Sequence, residues 1–188
     1  IAEFKTIDPE TGQDLPWGSS GELCCRSPLN SAGYFNNPDA TNELFLPGGW
    51  IRMGDLGQFR PDGNLFLTGR SKELYKSKGE LVSPKELEQL LTSHEDVSQA
   101  FFVGMPDDQY GECGCAWVVR GAKGTISEDE IRAFLAAKVP PYKMPRDIWF
   151  TTDEDLPKTG TGKVQKAKLR EIALAMINAK RQPAEPLS

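Results

Sequence analysis

The sequence predicts an α+β chain in two parts: a β-rich end of a larger domain over residues 1–70, then a compact α+β domain over residues 71–188. Three observations predict it. Short strand-like runs broken by Gly, Pro and Asn/Asp turn residues fill the first part. The helix-opening signatures Ser83-Pro84-Lys85-Glu86 and Ser127-Glu128-Asp129-Glu130 both fall in the second. There, strand and helix patterns interleave around what reads as one small sheet.

In order, Gly21 to Arg26 reads as a strand, and Pro38 to Leu44, opening on Pro-Asp, as a helical turn. Trp50 to Phe59 and Asn64 to Thr68 alternate around Arg60-Pro61-Asp62-Gly63, which predicts a hairpin. Seventy residues of this kind bury little apolar surface by themselves, so this part is expected to pack on something outside the chain. Ser83 to Glu86 predicts a capping box, followed by Leu87, Leu90 and Leu91 at helical spacing. Val97 to Met105 and Cys113 to Arg120 are strands. Ser127 to Glu130 predicts a second capping box, with Ile131, Phe134 and Leu135 on one face and Pro140-Pro141 as the stop. Asp147 to Thr151 is the last strand. Val164 to Ala179 is the last helix, with Leu169, Ile172, Ala173 and Met176 inward, and the residues from Gln182 read as a frayed tail.

With 38% hydrophobic and 26% charged residues over 188, the composition is that of an ordinary globular protein. A net charge of −5 argues against a nucleic-acid partner, which would require a basic surface. Five Lys and two Arg against one Glu between Pro157 and Arg181 make the end locally basic, as a solvated face or as a site for an anionic cofactor. Cys24 and Cys25 should diverge across a strand, whereas Cys113 and Cys115 should share a face. With no C-x-x-C spacing and His94 the sole histidine, no metal site is expected, and reduced buried thiols suit a cytoplasmic setting. No apolar run approaches the ~20 residues of a membrane span. The chain opens without Met, inside a β-like region, as a fragment, a processed chain or an excised domain would.

Four segments spend glycine and charge where packing does not require them. In Trp50 to Asp55, Asp55 follows Gly54 beside a turn, and its two oxygens suit a ribose diol; a turn or capping Asp is the plain alternative. In Gly69 to Glu73, Arg70 offers a donor fork for ribose or phosphate, and Ser71-Lys72 joins two differently built regions as a candidate hinge; a charged strand end is the alternative. In Lys76 to Pro84, Gly79 permits positive φ or close backbone approach within a loop that leads into a helix. In Leu156 to Lys163, two glycines and two threonines carry Lys163. The stretch fails as a phosphate loop of the Walker type, since Val164 follows the lysine and Pro157 replaces the leading glycine. A mobile loop delivering a cation fits better, against an exposed turn.

Together with Gly21-Glu22-Leu23 and Gly33 to Pro38, these segments resemble, in order and spacing, the C-terminal signatures of the adenylate-forming superfamily, which includes acyl-CoA synthetases, luciferases and nonribosomal adenylation domains. The likeness runs from about Gly21 to Leu174. It implies a ligase that activates a small carboxylic acid with Mg2+-bound ATP as acyl-AMP and transfers the acyl group to CoA. It also implies that Asp55 and Arg70 bind ribose and the α-phosphate region, and that Lys72, with Ser71, is the hinge. Gly79 and its loop, with Lys76, would serve the pantetheine side, and Lys163 would be the adenylation lysine. The Lys at the hinge is closer to CoA ligases than to nonribosomal domains. The phosphate loop, most Mg2+ ligands and the acyl pocket would lie in a missing N-terminal domain, so isolated turnover is not expected. A carrier-protein phosphopantetheine as acceptor and a non-catalytic docking module are the competing readings.

Overall fold

The computed structural model describes residues 1–122 and 124–181; the tail read from Gln182 onward lies outside them. The chain forms two compact units, Ile1–Lys72 and Glu73–Ser188.

The first unit is one antiparallel sheet. Strands β1 (Glu3–Ile7), β2 (Gly21–Arg26), β4 (Trp50–Phe59) and the two-residue β3 (Phe45–Leu46) follow in that order, and β5 (Leu65–Arg70) pairs with β4. The β4–β5 hairpin closes as its turn chemistry predicts. Gly63 takes φ +84°, and Asp62 Oδ1 accepts from the Asn64 backbone N–H at 3.0 Å. Helix α1 (Pro38–Leu44) is capped by Asn37, whose side chain accepts from Ala40 N–H at 3.1 Å, with Pro at the first position. Ile7, Leu23, Cys24, Leu56 and Phe59 form its small core. Large apolar side chains stay out of it: Phe35 is 93% exposed, and Trp17, Phe66 and Leu67 are about half exposed or more. So much exposed apolar surface on one small unit, part of it on β5 and part in its turns, fits a surface made for covering.

The second unit is built on β9 (Gly111–Arg120). It lies between antiparallel β8 (Val97–Asp107) and parallel β10 (Pro145–Thr151), and it also pairs with the short hairpin β6 (Tyr75–Ser77) and β7 (Glu80–Val82) through Ser77 and Gly111. Both faces of the sheet are covered. Ala116 and Val118 of β9 and Phe102 of β8 pack with Leu87 and Leu91 of α2 (Pro84–Thr92) and Ile131 and Leu135 of α3 (Glu128–Ala136). Cys113, Cys115, Trp117 and Val119 point to the other face, where Leu169, Ala173 and Ile177 of α4 (Lys166–Arg181) cover them. The period of two along β9 thus puts Cys113 and Cys115 on one side. All four cysteines are free and buried. The parallel β9–β10 pair, which needs a crossover, has α3 as its connection.

Glycine makes one tight joint. Gly104 and Gly114 are register partners on β8 and β9, and the Tyr75 side chain lies against them, 2% exposed. A Cβ at Gly114 would stand 2.5 Å from Tyr75 Oη, and one at Gly104 would collide with Tyr75 Cβ.

Two local expectations are corrected. The box at Ser83 does not form: Ser83 is the N-cap but makes no side-chain cap bond, and both Glu86 oxygens accept from Lys143 Nζ at 2.7 Å. The box at Ser127 forms in full, with Ser127 N–H donating to Glu130 at 2.8 Å. On α4, Ile172 is 41% exposed, and Ile177 is buried in its place. Among the described residues, no helix is long and apolar enough to cross a membrane.

Candidate functional site

In the first unit the strand register brings three of the singled-out residues together. Asp55 and Arg70 are opposite one another on β4 and β5, just beyond a register shift at Leu56/Gly57. Arg70 Nε lies 2.8 Å from Asp55 Oδ1, with the Asp side chain 26% and the Arg 65% exposed. The preceding Gly54 takes φ +72° with open space where a Cβ would be, so the backbone beside Asp55 is bare. Ser71 Oγ is 3.3 Å from both Gly54 O and Glu22 Oε1. Glu22 is buried and ion-paired with Arg52 Nη1 at 2.7 Å. A carboxylate, a guanidinium and an open glycine on one sheet edge can together accept from a diol and donate to an anion.

In the second unit, Lys76 and Gly79 sit on the β6–β7 hairpin. Lys78 and Gly79 both have positive φ, +53° and +86°, the requirement of the tightest two-residue turn. Nothing lies within 4 Å of a Cβ placed on Gly79. Lys78 Nζ sits 4.3 Å above the Tyr110 ring, and Lys76 N–H donates to Glu112 Oε2 at 3.0 Å, which ties both strand and turn to the sheet.

Lys163 projects from a short hairpin. Lys158 and Val164 form a β-bridge; Thr159 N–H donates to Lys163 O at 2.8 Å and Gly162 N–H to Thr159 O at 2.9 Å. Thr159 Oγ1 accepts from Lys163 N–H at 3.2 Å and lies 2.9 Å from Thr161 Oγ1. Gln165 closes the base onto Pro157 O and Lys158 O, both at 2.8 Å. Gly162 takes φ +80°. The glycines and threonines therefore brace the turn, and the exposed Lys163 side chain has no hydrogen-bond or ion-pair partner among the described residues. Lys158, by contrast, is held by Asp153 at 2.6 Å.

Comparison with known proteins meets this geometry on both units. Residues 86–163 match the family model described as the AMP-binding enzyme C-terminal domain. Over 177 residues the chain is 43% identical to 4-coumarate–CoA ligase 1 of Solanum tuberosum, covering 94% of this chain and 32% of the relative. The chain belongs to the adenylate-forming superfamily. Among solved structures, ATP-bound MatB from Rhodopseudomonas palustris is 33% identical with a TM-score of 0.85, over 93% of this chain and 34% of that one. The o-succinylbenzoate CoA synthetase of Bacillus subtilis, in complex with an acyl-adenylate intermediate, is 28% identical with a TM-score of 0.77, over 90% and 34% respectively. The chain thus spans about a third of the length of the relatives it matches.

Within this superfamily member, the sequence alone did not single out four side chains that the structure sets beside the candidate residues. Glu22 accepts from Ser71 Oγ and is itself paired with Arg52. Lys166 Nζ meets Glu73 Oε2 and, at 2.8 Å, Glu88 Oε1. Glu88 is buried and also accepts from Phe102 N–H at 2.9 Å. The one available signal was a Glu at position 88 on the buried side of an apolar helix, since such a carboxylate must find a cation or an N–H.

Proposed function

We propose that this chain is part of an ATP-dependent acid–thiol ligase, which joins a carboxylic acid to AMP and then passes the acyl group to CoA in a cytoplasmic setting. Residues 1–70 are the end of the large nucleotide-binding domain and residues 71–188 the domain that turns against it, with Ser71-Lys72 as hinge. The carboxylate of the acid attacks the α-phosphate of ATP, pyrophosphate leaves, and the CoA thiol then displaces AMP from the carbonyl carbon. Asp55 accepts from the ribose hydroxyls, and Arg70 donates to the ribose and α-phosphate oxygens. Lys76 and the bare Gly79 turn lie along the pantetheine arm. Mg2+ travels with the ATP phosphates, its ligands mostly outside this chain.

The observation that carries the proposal is Lys163. Its ammonium has no partner among the described residues and stands on a turn braced by its own threonines. A cation held ready is most effective where negative charge concentrates, which in this reaction is the transition state at the α-phosphate.

The test uses the full-length protein with ATP and a panel of aromatic and aliphatic carboxylic acids. Acid-dependent pyrophosphate release, a hydroxylamine-trapped adenylate and consumption of CoA are expected. Transfer to a holo carrier protein but not to CoA would replace the acceptor, and absence of any adenylate would overturn the ligase itself.

A further inference from the structure

The residues on either side of Lys72 are each fastened, and each to its own unit. Ser71 to Glu73 form one turn of 3-10 helix. On the near side, Ser71 Oγ is within reach of Gly54 O and of Glu22, whose side chain is 4% exposed and held by Arg52. On the far side, the Glu73 carboxylate is held by Lys166 Nζ, which also neutralises Glu88, 8% exposed and bonded to the backbone of β8. The Lys72 side chain is exposed and has no hydrogen bond or ion pair among the described residues.

We propose that Glu22 and the Glu88–Lys166 pair are positioning residues which confine rotation between the units to the backbone of Lys72. The inference rests on the hinge reading above and assigns the parts that define the hinge. A buried carboxylate left without its cation is costly, so Glu22 stays with Arg52 and Lys166 stays with Glu88, and the two anchors that Ser71 and Glu73 reach are fixed in place. Lys166 does a second thing: it lies three residues after Lys163, in the first turn of α4, and so joins the far side of the hinge to the base of the Lys163 hairpin. Rotation at Lys72 is then transmitted to Lys163 as a rigid movement. Without Lys166, Glu73 and its neighbours absorb part of the rotation, and the two orientations become less well defined.

Two readouts test this on the full-length protein. Trypsin cuts after Lys72 when the backbone there opens locally, so Glu73→Gln should be cut about threefold faster or more, the scale of losing one partly exposed ion pair, and Lys166→Met, which also strands the buried Glu88, faster still, with Lys166→Arg at the native rate. In the second readout, Lys166→Met should change the ratio of thioester formation to adenylate formation, and Lys166→Arg should restore it. Equal cutting rates in all four proteins would overturn the clamp, as would an equal fall in both half-reactions accompanied by a lower Tm. The protease readout needs no substrate, so it judges the clamp even where no adenylate forms and the ligase reading fails.

Discussion

Asp55 and Arg70 face each other across β4 and β5 and are joined Oδ1 to Nε at 2.8 Å, each the register partner of the other. With Arg70 65% exposed, the pair adds under about 1 kcal/mol to stability. In the proposed nucleotide-binding role, Arg70 holds one Asp55 oxygen and the other is left to accept from the ribose. Arg70→Ala and Asp55→Asn should therefore leave the melting temperature nearly unchanged. AMP affinity should fall by about tenfold or more, the loss of one charge-assisted hydrogen bond. Calorimetric titration with AMP alongside thermal melting checks both parts.

Glu22 is the converse case, since its carboxylate is buried and Arg52 is its cation. Arg52→Met should destabilise the first unit by about 2–3 kcal/mol, because it strands a charge rather than merely removing a contact. Lys5→Met, which removes an exposed pair with Asp14, should cost under about 1 kcal/mol. Urea midpoints of the two variants give the comparison.

The Tyr75 joint predicts an unusual order of mutational costs. Tyr75 Oη is buried without a hydrogen-bond partner among the described residues, so Tyr75→Phe should be neutral or stabilising by up to about 1 kcal/mol. Gly114→Ala should cost about 1–3 kcal/mol by overpacking, and Tyr75→Phe should relieve part of that cost, since the clash is with Oη. Gly104→Ala clashes with Tyr75 Cβ, which Phe retains, so it should not be rescued. A double-mutant cycle distinguishes the two glycines.

Asp107 ties the β8–β9 turn to Arg146. Burial pushes its carboxyl up, but hydrogen bonds from Tyr110 and Gln109 N–H and from Arg146 outweigh that and hold it below the ordinary value. A depressed folded pKa stabilises the fold above the unfolded value, about 3.9, and this contribution is lost as pH falls through the folded one. Stability should therefore decline below about pH 4, and Asp107→Asn should be less stable at neutral pH with a shallower acid limb. Denaturation midpoints from pH 2 to 7 measure it.

What was legible in the sequence followed local rules that nothing distant contested. Ser127 and Glu130 cap α3 because they meet within one turn and, among the described residues, no cation is paired with Glu130; the period of two along β9 likewise places Cys113 and Cys115 on one face. Glu86 obeyed the same local pattern yet went to Lys143, 57 positions away, a partner that only the tertiary fold supplies. Ile172 and Ile177 flank the same helical stripe, and the sheet beneath α4 decides which is buried. Lys78-Gly79 is a weaker hairpin signal than Asn-Gly, so β6 and β7 read as a loop. Asp55, Arg70 and Lys163 stood out because glycine adjoined or surrounded them. Glu88 and Lys166 did not, since a buried ion pair between two helices leaves no spacing to read.

The central claim is that the ammonium of Lys163 serves the first half-reaction, and the most direct measurement separates the two halves in the full-length Lys163→Ala protein. Acid-dependent pyrophosphate release should fall by about 10²–10³, the loss of one oriented donor, while CoA thioester formation from supplied acyl-AMP stays near the native rate. An equal fall in both half-reactions, or none in the first, would contradict the account.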